Sequence, residues 1–238
     1  MTTTTTTTTR DGLGTGRHPA SSLSMPARLA AAATLVLGFG LHLASVVILA
    51  LPHGSDPTAW LTWVAQNPGS AQLSKTLDVL FVPFMVGGVV VYVLLGRLRS
   101  PRLAWVGGVL FAGGLVALAA HEGYEAFAYT LVIDGSLDPE ATVAVMLESS
   151  PADAVAQLLF LSGLVIGLPL TVLSLWRSRA VPRGAALLLL LFLVVDLAGR
   201  RVESHLLGLA GAAWIAVVVL RAPRGNTVEP EGVDTAAT

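Results

Sequence analysis

His121, Glu122, Glu125, Asp196, Arg200, Arg201, Glu203 and His205 are the side chains of this sequence whose types and spacing can do chemistry. His121 and Glu125 are four residues apart and Glu122 and Glu125 three, spacings that place side chains together on one helix face. Asp196 and Arg200 are also four apart with the acid first, the favourable order for an ion pair, and Arg201 and His205 align similarly on a continuous helix. The simplest chemistry is an interhelical clamp in which Glu122 or Glu125 pairs with Arg200 or Arg201, since an unpaired charge beside lipid is expensive. A sharper one is a metal centre of His121, Glu125, Glu203 and His205. Imidazole and carboxylate suit zinc, and an open position would activate water for hydrolysis. The pattern lacks the second histidine of His-Glu-x-x-His. His42 with His121 or His205 would supply axial ligands to a haem, although a lone intramembrane histidine more often hydrogen-bonds a neighbouring helix. Glu122, Glu125, Asp196 and Arg200 are also the groups a small-molecule or proton-coupled transporter would use.

What must position these groups is membrane-spanning helix. A span needs about 20 apolar residues to cross a hydrocarbon core of roughly 30 Å. The apolar stretches predict spans at about 29–51, 77–96, 103–122, 154–176, 184–199 and 204–220. The last two are read as a hairpin because one continuous helix would bury Asp196, Arg200, Arg201 and Glu203 in lipid, at about 2.5–3.5 kcal/mol each. The chain is 54% hydrophobic and 12% charged, well below the roughly 25% charged of soluble domains. Its net charge of −1 offers no basic surface for nucleic acid. The absence of cysteine excludes disulfides, thiolate metal sites and thiol catalysis.

Basic residues alternate between segments. Arg10, Arg17 and Arg28, then Arg97, Arg99 and Arg102, then Arg177, Arg179 and Arg183, then Arg221 and Arg224 fall on one side, against only Lys75, Arg200 and Arg201 on the other. This positive-inside pattern predicts a multi-pass membrane protein with both termini cytoplasmic, and a composition rich in Ala, Leu, Val and Gly with Lys75 the only lysine points to a bacterial cell membrane. Residues 1–26, opening on a run of eight threonines, and residues 223–238 read as disordered cytoplasmic tails around a transmembrane domain at 27–222. The first tail lacks the form of a signal peptide, and Met25 is an alternative translation start.

The first four spans read as a duplication. Asp56-Pro57-Thr58-Ala59 follows span one and Asp138-Pro139-Glu140-Ala141 follows span three, and corresponding features recur at 81–83 residues. Aspartate before proline starts a helix well, because the carboxylate caps free amides and proline suits the first turn. Each outer loop is therefore expected to hold a helix of about ten residues, the first resting Trp60 and Trp63 on lipid. Two spans per unit make the repeat parallel, and one reading of the last hairpin is a third copy without its outer helix.

The expectation is an all-α integral membrane protein of six transmembrane helices, with two short extracytoplasmic helices and a parallel tandem repeat of helix hairpins. Gly163 and Gly167 are read as packing glycines, and Pro83 and Pro169 as kinks. The leading role is non-enzymatic: structural, accessory, or binding a lipid, a membrane-protein partner or a second copy, with no cofactor. A transporter is the first alternative, and a metal-dependent membrane hydrolase or haem protein the second.

Overall fold

A computed structural model describes residues 19–50, 56–148 and 151–223. The structure of these residues is helical, without a strand among them. The elements are α1 (Met25–Ala50), α2 (Pro57–Gln66), α3 (Pro68–Gly96), α4 (Pro101–Ile133), α5 (Pro139–Leu147), α6 (Pro151–Ser162), α7 (Leu168–Ser178), α8 (Arg183–Leu197) and α9 (Arg201–Arg221). A π turn at Gly163–Gly167 joins α6 to α7.

The helices α1, α3, α4, the α6–α7 unit and α9 are each long and apolar enough to cross a membrane. This is an all-α membrane protein. Helix α8 has 15 residues, so it rises only about 22 Å. Helices α3 and α4 outrun their apolar stretches, starting at Pro68 rather than 77 and ending at Ile133 rather than 122. Hydropathy marks where lipid contact ends, whereas Asn67-Pro68 and the left-handed Gly135, at φ 74°, mark where helix starts and stops. The extra turns carry Lys75, Glu125 and Tyr129.

Both short helices form at the expected places. Asp56 accepts a hydrogen bond from the Thr58 amide at 2.9 Å and Asp138 from the Ala141 amide at 2.7 Å, each with proline in the first turn. Helix α2 does not simply rest on lipid. Trp60 meets the Tyr129 ring edge-on at 5.2 Å, and Leu61, Val64 and Trp63 pack with Ala71 and Val132 on α3 and α4.

Helix α1 packs on α3 and α9, α3 on α4, α4 on α6 and α7, α7 on α8, and α8 on α9, closing a ring of three hairpins. Helix α3 also touches α7 across the ring. The close approach of α4 to the π turn requires glycine: a Cβ on Gly163 would lie 2.7 Å from the Gly114 Cα and the Leu110 carbonyl. The Leu168 amide bonds to the Gly163 carbonyl, five residues back, just before Pro169 withdraws a donor. The proline is thus absorbed by a widened turn.

The tails read from sequence lie largely outside the described residues, at 1–18 and 224–238. Within the described part, Pro19–Ser22 forms a 3₁₀ turn and Ala20 is buried. Arg28 explains that order. It is buried, and its guanidinium donates to the backbone carbonyls of Ser21 and Pro223 at 3.3 Å, of Leu23 at 3.1 Å, and of Ala222. These bonds tie the start of α1 to the end of α9.

Candidate functional site

The polar side chains gather at the end of the bundle opposite Arg28, and each hairpin contributes a histidine–aspartate pair. On the first, His42 of α1 places Nδ1 3.1 Å from Asp78 Oδ1 of α3. On the second, His121 of α4 places Nδ1 2.8 Å from Asp153 Oδ1 of α6. On the third, His205 of α9 places Nδ1 4.0 Å from Asp196 Oδ1 of α8, with the Ser204 hydroxyl donating to that carboxylate at 2.9 Å. Nδ1 is the nitrogen nearest the aspartate in all three pairs, but in the third the histidine lies on the second helix of the hairpin and its Nδ1 bonds the Arg201 carbonyl.

Lys75 joins the first two. Its Nζ lies 2.5 Å from Glu122 Oε2, 2.5 Å from Glu125 Oε2 and 3.6 Å from Asp78 Oδ2. The Tyr129 ring lies beside it, 5.2 Å from centroid to ammonium. Glu125 in turn reaches His121 Nε2 at 3.4 Å. His42 joins the third pair through its ring, 4.4 Å from that of His205 and 4.2 Å from Phe81. The result is one path, Asp153–His121–Glu125–Lys75–Asp78–His42–His205–Asp196, crossing α6, α4, α3, α1, α9 and α8.

Helix geometry makes this arrangement possible. Lys75 and Asp78 are three residues apart on α3, so both face inward from one stripe. His121, Glu122 and Glu125 lie on adjoining turns of α4, and Glu122 and Glu125 converge on the same ammonium. The side chains of Lys75, Asp78 and Asp153 are only 7%, 5% and 7% exposed, so the pairs are held away from water.

Charge balance constrains the chemistry. Asp78, Glu122, Glu125, Asp153 and Asp196 are acidic, while Lys75 is the one cation in the path that does not depend on histidine protonation. Closely packed carboxylates repel one another unless compensated, and Lys75 and the histidines are the groups placed to offset their charge. His121 has a carboxylate at each ring nitrogen, which matches the two donors of an imidazolium. His205 Nδ1 lies 2.6 Å from the Arg201 carbonyl, an acceptor only, so that nitrogen carries its proton.

Two sequence expectations are corrected. The clamp has Lys75, not Arg200 or Arg201, as its cation. Arg200 instead pairs with Glu203 at 2.7 Å, with side chains 67% and 50% exposed, and is separated from Asp196 by the Gly199 turn. Arg201 is exposed, and α8 packs on α7 and α9 rather than beside α4. The four-ligand metal set is not assembled either. His121 and Glu125 belong to the Lys75 branch, His205 faces His42 and Asp196, and Glu203 is turned toward Arg200. Among the described residues no three histidine or acidic side chains group as a metal site needs. A haem does not fit between His42 and His205, since rings 4.4 Å apart leave no gap for a macrocycle. His121, directed to Asp153 and Glu125, is not opposed to His42.

Sequence reasoning missed Lys75, Asp78 and Asp153 as site residues. A signal lay in their recurrence: His42 and His121 lie 79 residues apart on α1 and α4, and Asp78 and Asp153 lie 75 apart on α3 and α6, close to the 81–83 spacing of the Asp-Pro loops. In comparisons with known proteins, no family model, curated protein or solved structure matches this chain.

Proposed function

We propose that this is a non-enzymatic, proton-coupled carrier, in which protonation of the histidine–aspartate network changes how the three hairpins pack. The observation that supports this reading most is the repetition of one dyad per hairpin, strung together through Lys75 and the His42–His205 contact. A purely structural clamp needs one cation and enough carboxylates to compensate it. It does not need three titratable imidazoles with acids in excess. Intramembrane ionisable chains of this composition are the material of proton relays. The protein would bind small solute and protons from the side that this end faces, with the helix ring as the moving part.

In this reading α8 and α9 form a third hairpin in which histidine and aspartate have exchanged helices, and α8 completes a sixth crossing with local bilayer thinning. The arginine end, with Arg97, Arg99, Arg102, Arg177, Arg179 and Arg183, faces the cytoplasm, and α2 and α5 lie outside.

The chain has no cysteine, so single thiols report cleanly. Ser45 is fully buried against Ser74, their hydroxyls 2.8 Å apart, next to the network. In intact cells, Ser45→Cys should react with an impermeant thiol reagent about tenfold faster at about pH 5.5 than at about pH 8, after normalisation to the reagent's intrinsic pH dependence. Arg99→Cys should stay unlabelled until lysis. Equal Ser45→Cys rates at both pH values would overturn the carrier, and labelling of Arg99→Cys before lysis would overturn the orientation.

A further inference from the structure

We propose that His42 and His205 act together as one proton-binding site, which takes up a single proton as a pair and lies on the seam between the first and last helices of the ring. This rests on the carrier reading and names the point where its proton is loaded.

The geometry separates these two histidines from His121. His121 is engaged at both ring nitrogens by carboxylates, so its protons are committed to Asp153 and Glu125. His205 commits only Nδ1, as donor to the Arg201 carbonyl at 2.6 Å, with the Ser204 hydroxyl 3.1 Å away. His42 likewise directs Nδ1 to Asp78. Both rings therefore keep Nε2 as the acceptor for an incoming proton. The rings touch at 4.4 Å and 62° and sit among aromatic side chains, with Phe81 beside His42 and Phe192 5.3 Å from His205.

The charged groups facing the pair are few. Helix α3 supplies Asp78, with Lys75 behind it at 3.6 Å. Helix α8 supplies Asp196, and α9 supplies Arg201 through its carbonyl. One carboxylate thus stands behind each imidazole, enough to stabilise one imidazolium. Two imidazoliums in ring contact repel, so a second proton enters only if the rings separate. The side chain of Asp196 is 23% exposed and that of His205 only 6%, which makes Asp196 the water-facing member. The incoming proton is taken up at Nε2 of either ring, and its loss frees the same nitrogen.

The site occupies the seam where α1 meets α9. At the other end of that seam Arg28 bonds the Ala222 and Pro223 carbonyls. About one turn from the pair, the Phe39 ring fills the space over Gly208, where an added Cβ would lie 2.3 Å from it. Fixed contacts thus hold the seam at Arg28 and at Phe39, and the histidine pair is the part of it that can take up a proton.

The test is nitrogen NMR of the full chain in lipid nanodiscs with histidine ring nitrogens labelled. Resonances are assigned by single His→Gln substitutions among the five histidines. The inference expects His42 and His205 to titrate in one shared step whose summed amplitude equals one protonation, and His42→Gln to give His205 a full step of its own. Where His42→Gln does not fold, the wild-type summed amplitude alone decides. Two independent full steps, or no step at either ring, overturn the inference. A shared step with no pH-dependent labelling of Ser45→Cys leaves the pair and removes the carrier; independent steps with that labelling do the reverse.

Discussion

The two ends of this helix ring solve the same problem, a buried positive charge, with opposite chemistry. At one end Arg28 is surrounded by backbone carbonyls, and no carboxylate is among its hydrogen-bond partners. At the other, Lys75 is surrounded by Glu122, Glu125 and Asp78, and these lead on to histidines. A guanidinium does not lose its proton in proteins, and carbonyls do not titrate, so the Arg28 end has one state. Imidazoles and carboxylates are groups that can gain or lose a proton, so the Lys75 end can hold more than one charge state. The contrast teaches that burial by itself says little about function. What matters is whether the partners can change charge.

Removing each cation should break the comparison differently. Lys75→Met leaves the buried carboxylates of Asp78 and Glu122 and the partly buried one of Glu125 without their ammonium and should cost about 3–5 kcal/mol, read as lost folded protein in size-exclusion chromatography. Adding Glu122→Gln should restore part of it. Arg28→Leu deletes four carbonyl hydrogen bonds while leaving no orphaned charge, so its cost should be smaller, about 2 kcal/mol, and the same at acid and neutral pH. If the Arg28→Leu cost varied with pH as the Lys75→Met cost does, the two ends would not differ in kind. Arg200→Ala removes an exposed pair with Glu203 and should change stability by less than about 0.5 kcal/mol. A loss comparable to that of Lys75→Met would reinstate the arginine clamp.

Much of the scaffold was legible in the residues. Apolar length gave the long helices, and Asp-Pro dipeptides at Asp56 and Asp138 gave α2 and α5 through a cap and a preset first turn. The polar end was also legible as a place, because His121, Glu122, Glu125, Asp196 and His205 fall beside apolar stretches. The pairings were not. Arg200 and Arg201 look like partners for α4 only if α8 lies beside α4, and ring order is set by packing that periodicity does not encode. Lys75 and Asp78 lie at or before the start of an apolar stretch and read as loop or boundary residues until Pro68 is seen to start the helix. Arg28 read as one more positive-inside charge, since nothing local tells that the Ala222 and Pro223 carbonyls reach it.

The central claim is that protons move the histidine end of the α1–α9 seam while the arginine end stays fixed. Spin labels on cysteines at Ala44 and Leu206 report the first end, and labels at Leu29 and Val217 the second, all at exposed positions. Double electron–electron resonance distances in nanodiscs at about pH 8 and about pH 5.5 compare them directly. The account predicts a change of about 2–5 Å between positions 44 and 206 and none between 29 and 217. Equal changes at both ends, or no change at either, would contradict it.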